Sequence, residues 1–143
     1  MNHSLQASAA QQESYATAYY YFFQALELLT QDAQTQCKRL DYFNVAWEIV
    51  DDILRGAEQL TSLPGGQLTD TQRQGVLELT NALENVPKSV VFCTNSHDGH
   101  LNSMNHPCWA PLRRMATDLI QLLESETRKN AEYFQQSQQQ QQA

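Results

Sequence analysis

No run of the chain comes near the ~20 consecutive apolar residues that a membrane-spanning helix needs, so the sequence argues against a membrane protein. Its opening, Met-Asn-His-Ser-Leu-Gln-Ala-Ser-Ala-Ala, has neither the positive n-region nor the apolar h-region of a signal peptide. Basic residues are scarce, 9 Lys and Arg against 16 Asp and Glu, for a net charge of −7. Non-specific nucleic-acid binding, which depends on clustered Lys and Arg displacing counterions, is therefore disfavoured. Cysteine is scarce too, and its count of 3 is odd. With no export signal, that points to reduced thiols rather than a disulfide framework, and to a cytoplasmic setting. Glycine and proline are absent from residues 5 to 38, which leaves nothing there to break a helix.

What is present fits one helical domain. A chain of 143 residues with 41% apolar side chains can bury a single core of ordinary size. In the first segment Tyr15, Tyr19, Phe22, Leu26, Leu29 and Ala33 recur at spacings of three and four, the stripe of an amphipathic helix. Tyr20, Tyr21 and Phe23 widen that band. The extra width serves either burial on two sides, with tyrosine hydroxyls at the rim, or docking of a partner, since Tyr is enriched among interface anchors. It equally suits a homodimer seam.

A second helix is expected from Asp41, an N-cap residue type, with Phe43, Ala46, Trp47, Val50, Ile53, Leu54, Ala57 and Leu60 facing inward. Its other face carries Glu48, Asp51, Asp52 and Glu58 with only Arg55 to balance them. Gly56, unfavourable by about 1 kcal/mol relative to Ala inside a helix, marks a close helix–helix contact. Ser62-Leu63-Pro64-Gly65-Gly66 ends the helix. The third helix opens on a capping box between Thr69 and Gln72, runs through Val76, Leu79, Leu83 and Val86, and stops at Pro87. The last starts between Pro107 and Pro111 and turns Leu112, Met115, Ala116, Leu119, Leu122 and Leu123 inward. Together these predict an all-α fold, an antiparallel four-helix bundle with one long crossover between helices 3 and 4. Residues 1–134 form the domain, and 135–143 a disordered Gln-rich tail.

The crossover, Val86 to Ala110, is the least regular part of the chain and the richest in chemistry. It holds Cys93, His97, His100, His106 and Cys108, spaced C-x3-H-x2-H-x5-H-x-C. Thiolate and imidazole suit zinc, and any four of the five complete a tetrahedral shell. The paired C-x2-C or H-x3-H knuckles of named zinc motifs are missing, however. Buried Cys packing as a small hydrophobe, and loop His bonding to backbone, explain the same residues without a metal. Ser96 caps a short helix over His97 to Met104, while the strand-like Ser89–Thr94 has no strand to pair with and reads as extended or single-turn structure. Trp109 anchors the whole crossover.

No catalytic motif accompanies these features. There is no G-x-S-x-G elbow and no phosphate loop, because Gly65-Gly66 leads into Gln and Leu. The Glu-x-x-His pattern of di-iron bundles is also missing. Glu48, Asp51 and Asp52 would suit Mg²⁺ only with a matching acidic set on another helix, and Glu78, Glu84, Asp118 and Glu124 are scattered. The expected function is protein–protein binding of the immunity, inhibitor or adaptor type, toward a protein partner of basic character. Glu48, Asp51, Asp52 and Glu58 supply the charged face, and Tyr20 and Tyr21 the aromatic anchors. The alternative is a zinc-type site in the 93–108 loop.

Overall fold

The computed structural model describes residues 8–142, the side chains of 140–142 excepted. Eight helices follow one another: α1 Ala9–Thr30, α2 Ala33–Arg39, α3 Val45–Ser62, α4 Asp70–Glu84, α5 Lys88–Val91, α6 His97–Met104, α7 Trp109–Leu122 and α8 Glu124–Gln142. There is no strand among the described residues, and no helix there is long and apolar enough to cross a membrane. The all-helical class stands, with eight segments where four long helices were expected. Residues 1–7, which include the start of the glycine- and proline-free first segment, and Ala143 at the end of the tail lie outside the described residues.

Packing follows the apolar stripes. All six stripe residues of the first segment are buried, Leu26 and Leu29 completely. So are Val76, Leu79, Leu83 and Val86 of the third. α1 lies against α3 and α7, while α4 lies against those same two helices. The chain thus encloses one core, in which Trp109, Tyr19, Phe22 and Met104 are among the largest buried side chains. Gly56 sits where α1 and α3 touch: a Cβ placed on it would come within 2.8 Å of Phe22 Cδ1. The close approach expected from that glycine is real.

The additional helices arise from two breaks that hydrophobic periodicity does not reveal. Between Thr30 and Ala33 the chain bends because Asp32 caps a new helix, its carboxylate accepting from the Thr35 amide at 2.7 Å. The carbonyls left at the end of α1 are taken by Gln36, which is fully buried; its Nε2 donates to Leu28 O at 3.1 Å and Leu29 O at 3.0 Å. At the α7–α8 junction Leu122 O accepts from Gln72 Nε2 at 3.2 Å, and Leu123 O from Tyr19 Oη at 3.3 Å. In both places a distant side chain satisfies helix-end carbonyls that would otherwise be stranded.

α3 does not begin at Asp41. Asp41, Tyr42 and Asn44 all adopt the left-handed conformation, with φ of 54°, 53° and 44°. They make a tight turn in which Tyr42 N donates to Cys37 O at 2.8 Å. Phe43 therefore sits outside the helix and is 59% exposed, away from the core position expected of it. The capping box at Thr69–Gln72 forms as expected, with bonds of 2.9 and 3.1 Å. Across the Gln-rich stretch expected to be disordered, α8 runs on to Gln142. Gln is a good helix former, and neither Gly nor Pro interrupts the run.

Candidate functional site

Two places gather the residues that could carry function. The first is the groove between α1 and α3. Phe22 and Gly56, where α1 and α3 make their tight contact, line it. One depression of about 370 Å³ is lined by Tyr21, Phe22, Arg39, Asp52, Arg55 and Gly56 among others. A second of about 650 Å³ continues past Ala18, Tyr21 and Gln59 toward Glu13 and Leu63. Tyr21 belongs to both and is 65% exposed. A large aromatic ring standing in water between two hollows is available to a partner without any rearrangement of the core.

The tyrosine pair divides. Tyr20, 47% exposed, meets Phe134 of α8 edge-on at 6.2 Å, and its hydroxyl accepts from Gln24 Nε2 at 2.7 Å. It thus braces α8 and lines neither hollow, whereas Tyr21 faces the groove. The four acids divide too. Asp51 pairs with Arg55 at 3.1 Å, the (i, i+4) contact of an exposed helix face. Asp52 makes no ion pair among the described residues and lines the groove. Burial pushes its carboxyl above the usual value of 3.8, and the Glu48 and Asp51 charges push it further, with Arg55 opposing. Glu48 and Glu58 lie on α3 but line neither hollow. Of the residues expected at the interface, the structure brings Tyr21 and Asp52 together. Arg39 and Gln59, which complete the walls, were not anticipated; Arg39 arrives on α2, a helix that begins at a break invisible to the apolar pattern.

The second place is the crossover. α5 is a single turn after Pro87, and α6 is capped by Ser96, whose Oγ accepts from the Gly99 amide at 3.0 Å. Residues 93–96 fold tightly back over α6, which requires Gly99: a Cβ there would run into the Thr94 carbonyl. Ser103 Oγ donates to Val90 O at 2.6 Å, and Trp109 Nε1 to Ser103 O at 2.9 Å. Arg113 donates to Met104 O and to Gln36 Oε1, each at 2.8 Å. Trp109, with no exposed surface, anchors the segment as expected.

The five metal-ligand candidates fall into three settings. Cys93 Sγ and His100 Nδ1 are 3.4 Å apart. His97 instead stacks on Tyr42, ring centroids 3.8 Å apart. His106 Nδ1 accepts from the Cys108 amide at 3.0 Å, and burial raises the Cys108 thiol above its ordinary range. Among the described residues no three His, Cys, Asp or Glu side chains group so as to hold a metal ion. A tetrahedral zinc shell takes four ligands, and the fold pairs two.

No protein-family model, curated protein or solved structure matches the chain.

Proposed function

We propose that the chain acts by binding another protein, taking a basic segment of that partner into the α1–α3 groove. The observation that carries this reading is the state of Asp52. It is a carboxylate crowded by Glu48 and Asp51, partly desolvated, without an ion pair, and lining the same hollow as the exposed ring of Tyr21. An incoming Lys or Arg relieves that crowding and gains a charge-assisted hydrogen bond, while Tyr21 covers the apolar part of the segment. The net charge of −7 steers a cationic partner toward the surface. In this reading α1, α3, α4 and α7 serve as an antiparallel four-helix framework, and the protein works in the cytoplasm, where its thiols stay reduced.

Binding of the purified partner, followed by titration calorimetry, provides the test. Asp51→Lys with Asp52→Lys weakens the complex at least tenfold, Tyr21→Ala weakens it comparably, and helicity is unchanged in both. An unaltered Kd in the doubly reversed protein would refute the groove as the docking site.

A further inference from the structure

We propose that Cys93, His100 and Asn95 form a nucleophilic site at which Cys93 accepts a short apolar acyl group from an ester and passes it to water. The site lies on the crossover and owes nothing to the α1–α3 groove. Its geometry is a chain of two contacts. Cys93 Sγ lies 3.4 Å from His100 Nδ1, and His100 Nε2 lies 3.0 Å from Asn95 Oδ1. A nucleophile, a base within reach of it, and a third group that orients the base are the parts by which activated nucleophiles are recognised. The Cys-His-Asn combination is one of the forms that constellation takes.

The tautomer follows from the partners. Asn95 Oδ1 can only accept, so Nε2 carries the ring hydrogen and donates it. Nδ1 is left with its lone pair facing the Cys93 sulfur, ready to accept the thiol proton. His100 is 3% exposed and held in α6, so the ring is fixed. Cys93 is half-buried, and with His100 it lines a pocket of about 280 Å³ whose other walls are Asn44, Trp47, Val91 and Phe92. Those walls are mostly apolar and leave room for a short acyl chain. Phe92, 69% exposed, stands at the rim. The left-handed turn through Asn44 borders it, and strained backbone of that kind concentrates at functional sites, while the fold-back of residues 93–96 that Gly99 permits sets Asn95 3.0 Å from His100.

The chemistry balances without any added redox partner. The Cys93 thiol proton moves to His100 Nδ1 as the sulfur attacks the ester carbonyl carbon and an S–C bond forms. The bond from that carbon to the leaving oxygen breaks, and the proton on Nδ1 goes to that oxygen, releasing an alcohol. A water molecule then gives a proton to Nδ1 while its oxygen adds to the thioester carbon. The S–C bond breaks, the acid departs, and the thiolate and imidazolium return to thiol and imidazole. The Cys93 N–H, which no acceptor among the described residues engages, is the donor available to the oxyanion.

The full chain incubated with p-nitrophenyl butyrate, with nitrophenol release and peptide mass spectrometry as readouts, tests this directly. Cys108 is the internal control, a half-buried thiol with no imidazole partner at its sulfur. The expected result is a butyryl adduct on Cys93 in at least tenfold preference to Cys108, followed by turnover. Cys93→Ser and His100→Ala each lower nitrophenol release at least tenfold. Asn95 is exposed, so Asn95→Ala tests the site even where the buried His100 variant fails to fold, and it lowers the rate severalfold. Equal acylation of Cys93 and Cys108, or a rate unchanged in both His100→Ala and Asn95→Ala, would overturn the proposal. An adduct that persists on Cys93 without turnover would overturn its hydrolytic half.

Discussion

Replacing Asp52 by Asn should stabilise the protein, which is the reverse of what most substitutions do. The sign comes from the surroundings of the carboxylate. Asp52 lies one turn after Glu48 and next to Asp51, and Arg55, whose charge opposes theirs, is engaged by Asp51 at 3.1 Å. A like-charge (i, i+4) pair on a helix is unfavourable by about 0.2–0.5 kcal/mol. Asp and Asn have similar helix propensities, so the exchange is close to neutral in that respect. Asp52 remains open to solvent despite its partial desolvation, so solvent screens much of the effect behind its raised pKa. The net gain at neutral pH is then about 0.5 kcal/mol, which raises Tm by about 1–2 °C in a domain of this size. The pH dependence follows from the upward shift. Between the ordinary value of 3.8 and the raised one, the folded state holds more protons than the unfolded. Stability is thus greatest below that window and is lost as pH rises through it; Asp52→Asn removes the loss. Thermal unfolding by circular dichroism, at neutral and at acid pH and in low and high salt, reads this out. The gain should vanish at acid pH and in about 1 M salt, where the Debye length is ~3 Å. Asp51→Asn, which breaks the pair with Arg55, should by contrast be neutral or slightly destabilising. A Tm for Asp52→Asn below wild type, or a gain insensitive to salt, would refute the crowding argument.

Other perturbations test the frame that holds these sites. Gly56→Ala sets overpacking of about 1–3 kcal/mol against about 1 kcal/mol of helix propensity. With Phe22 only 1% exposed and 2.8 Å from the new Cβ, the expected outcome is a lower denaturant midpoint. Trp109→Phe leaves Ser103 O without its 2.9 Å donor and opens a void. A loss of about 2–3 kcal/mol by urea titration is expected, and exchange of the α5 and α6 amides should accelerate. Burial pushes the Tyr15 and Tyr19 hydroxyls up to about 12 from 10.0, so stability falls as pH rises through that interval. Tyr19→Phe, which forfeits the 2.7 Å bond to Thr127, should lower stability by about 1 kcal/mol at neutral pH and flatten the alkaline fall.

The apolar stripes were legible in the sequence because burial on a helix face imposes a period of three and four. Tyr15 to Ala33 and Val76 to Val86 went where that period placed them. Caps were legible for the same reason of local geometry: Thr69, Ser96 and the Gly56 contact depend on neighbours a turn away or on one missing side chain. Breaks whose compensation comes from far along the chain were not legible. Gln36 reaching back to Leu28 and Leu29, and Gln72 reaching Leu122, are polar side chains that look like surface residues until the fold buries them. The left-handed turn at 41–44 leaves no mark in the sequence, because Asp, Tyr and Asn carry no glycine signal. At the crossover the eye falls on Cys and His. Asn95, which orients His100, belongs to a residue type too common in loops to stand out, and only the fold-back over Gly99 reveals it.

The claim that the α1–α3 groove receives a protein partner is tested most directly by a photo-crosslinking amino acid placed at Tyr21 in cells of origin. Leu77 on α4, 42% exposed, serves as the control position. The expected result is a crosslinked adduct with a distinct, basic protein at position 21 and none at position 77, abolished when Asp51 and Asp52 are both replaced by Lys. An adduct with a second copy of the chain, equal labelling at both positions, or labelling that survives the charge reversal would contradict it.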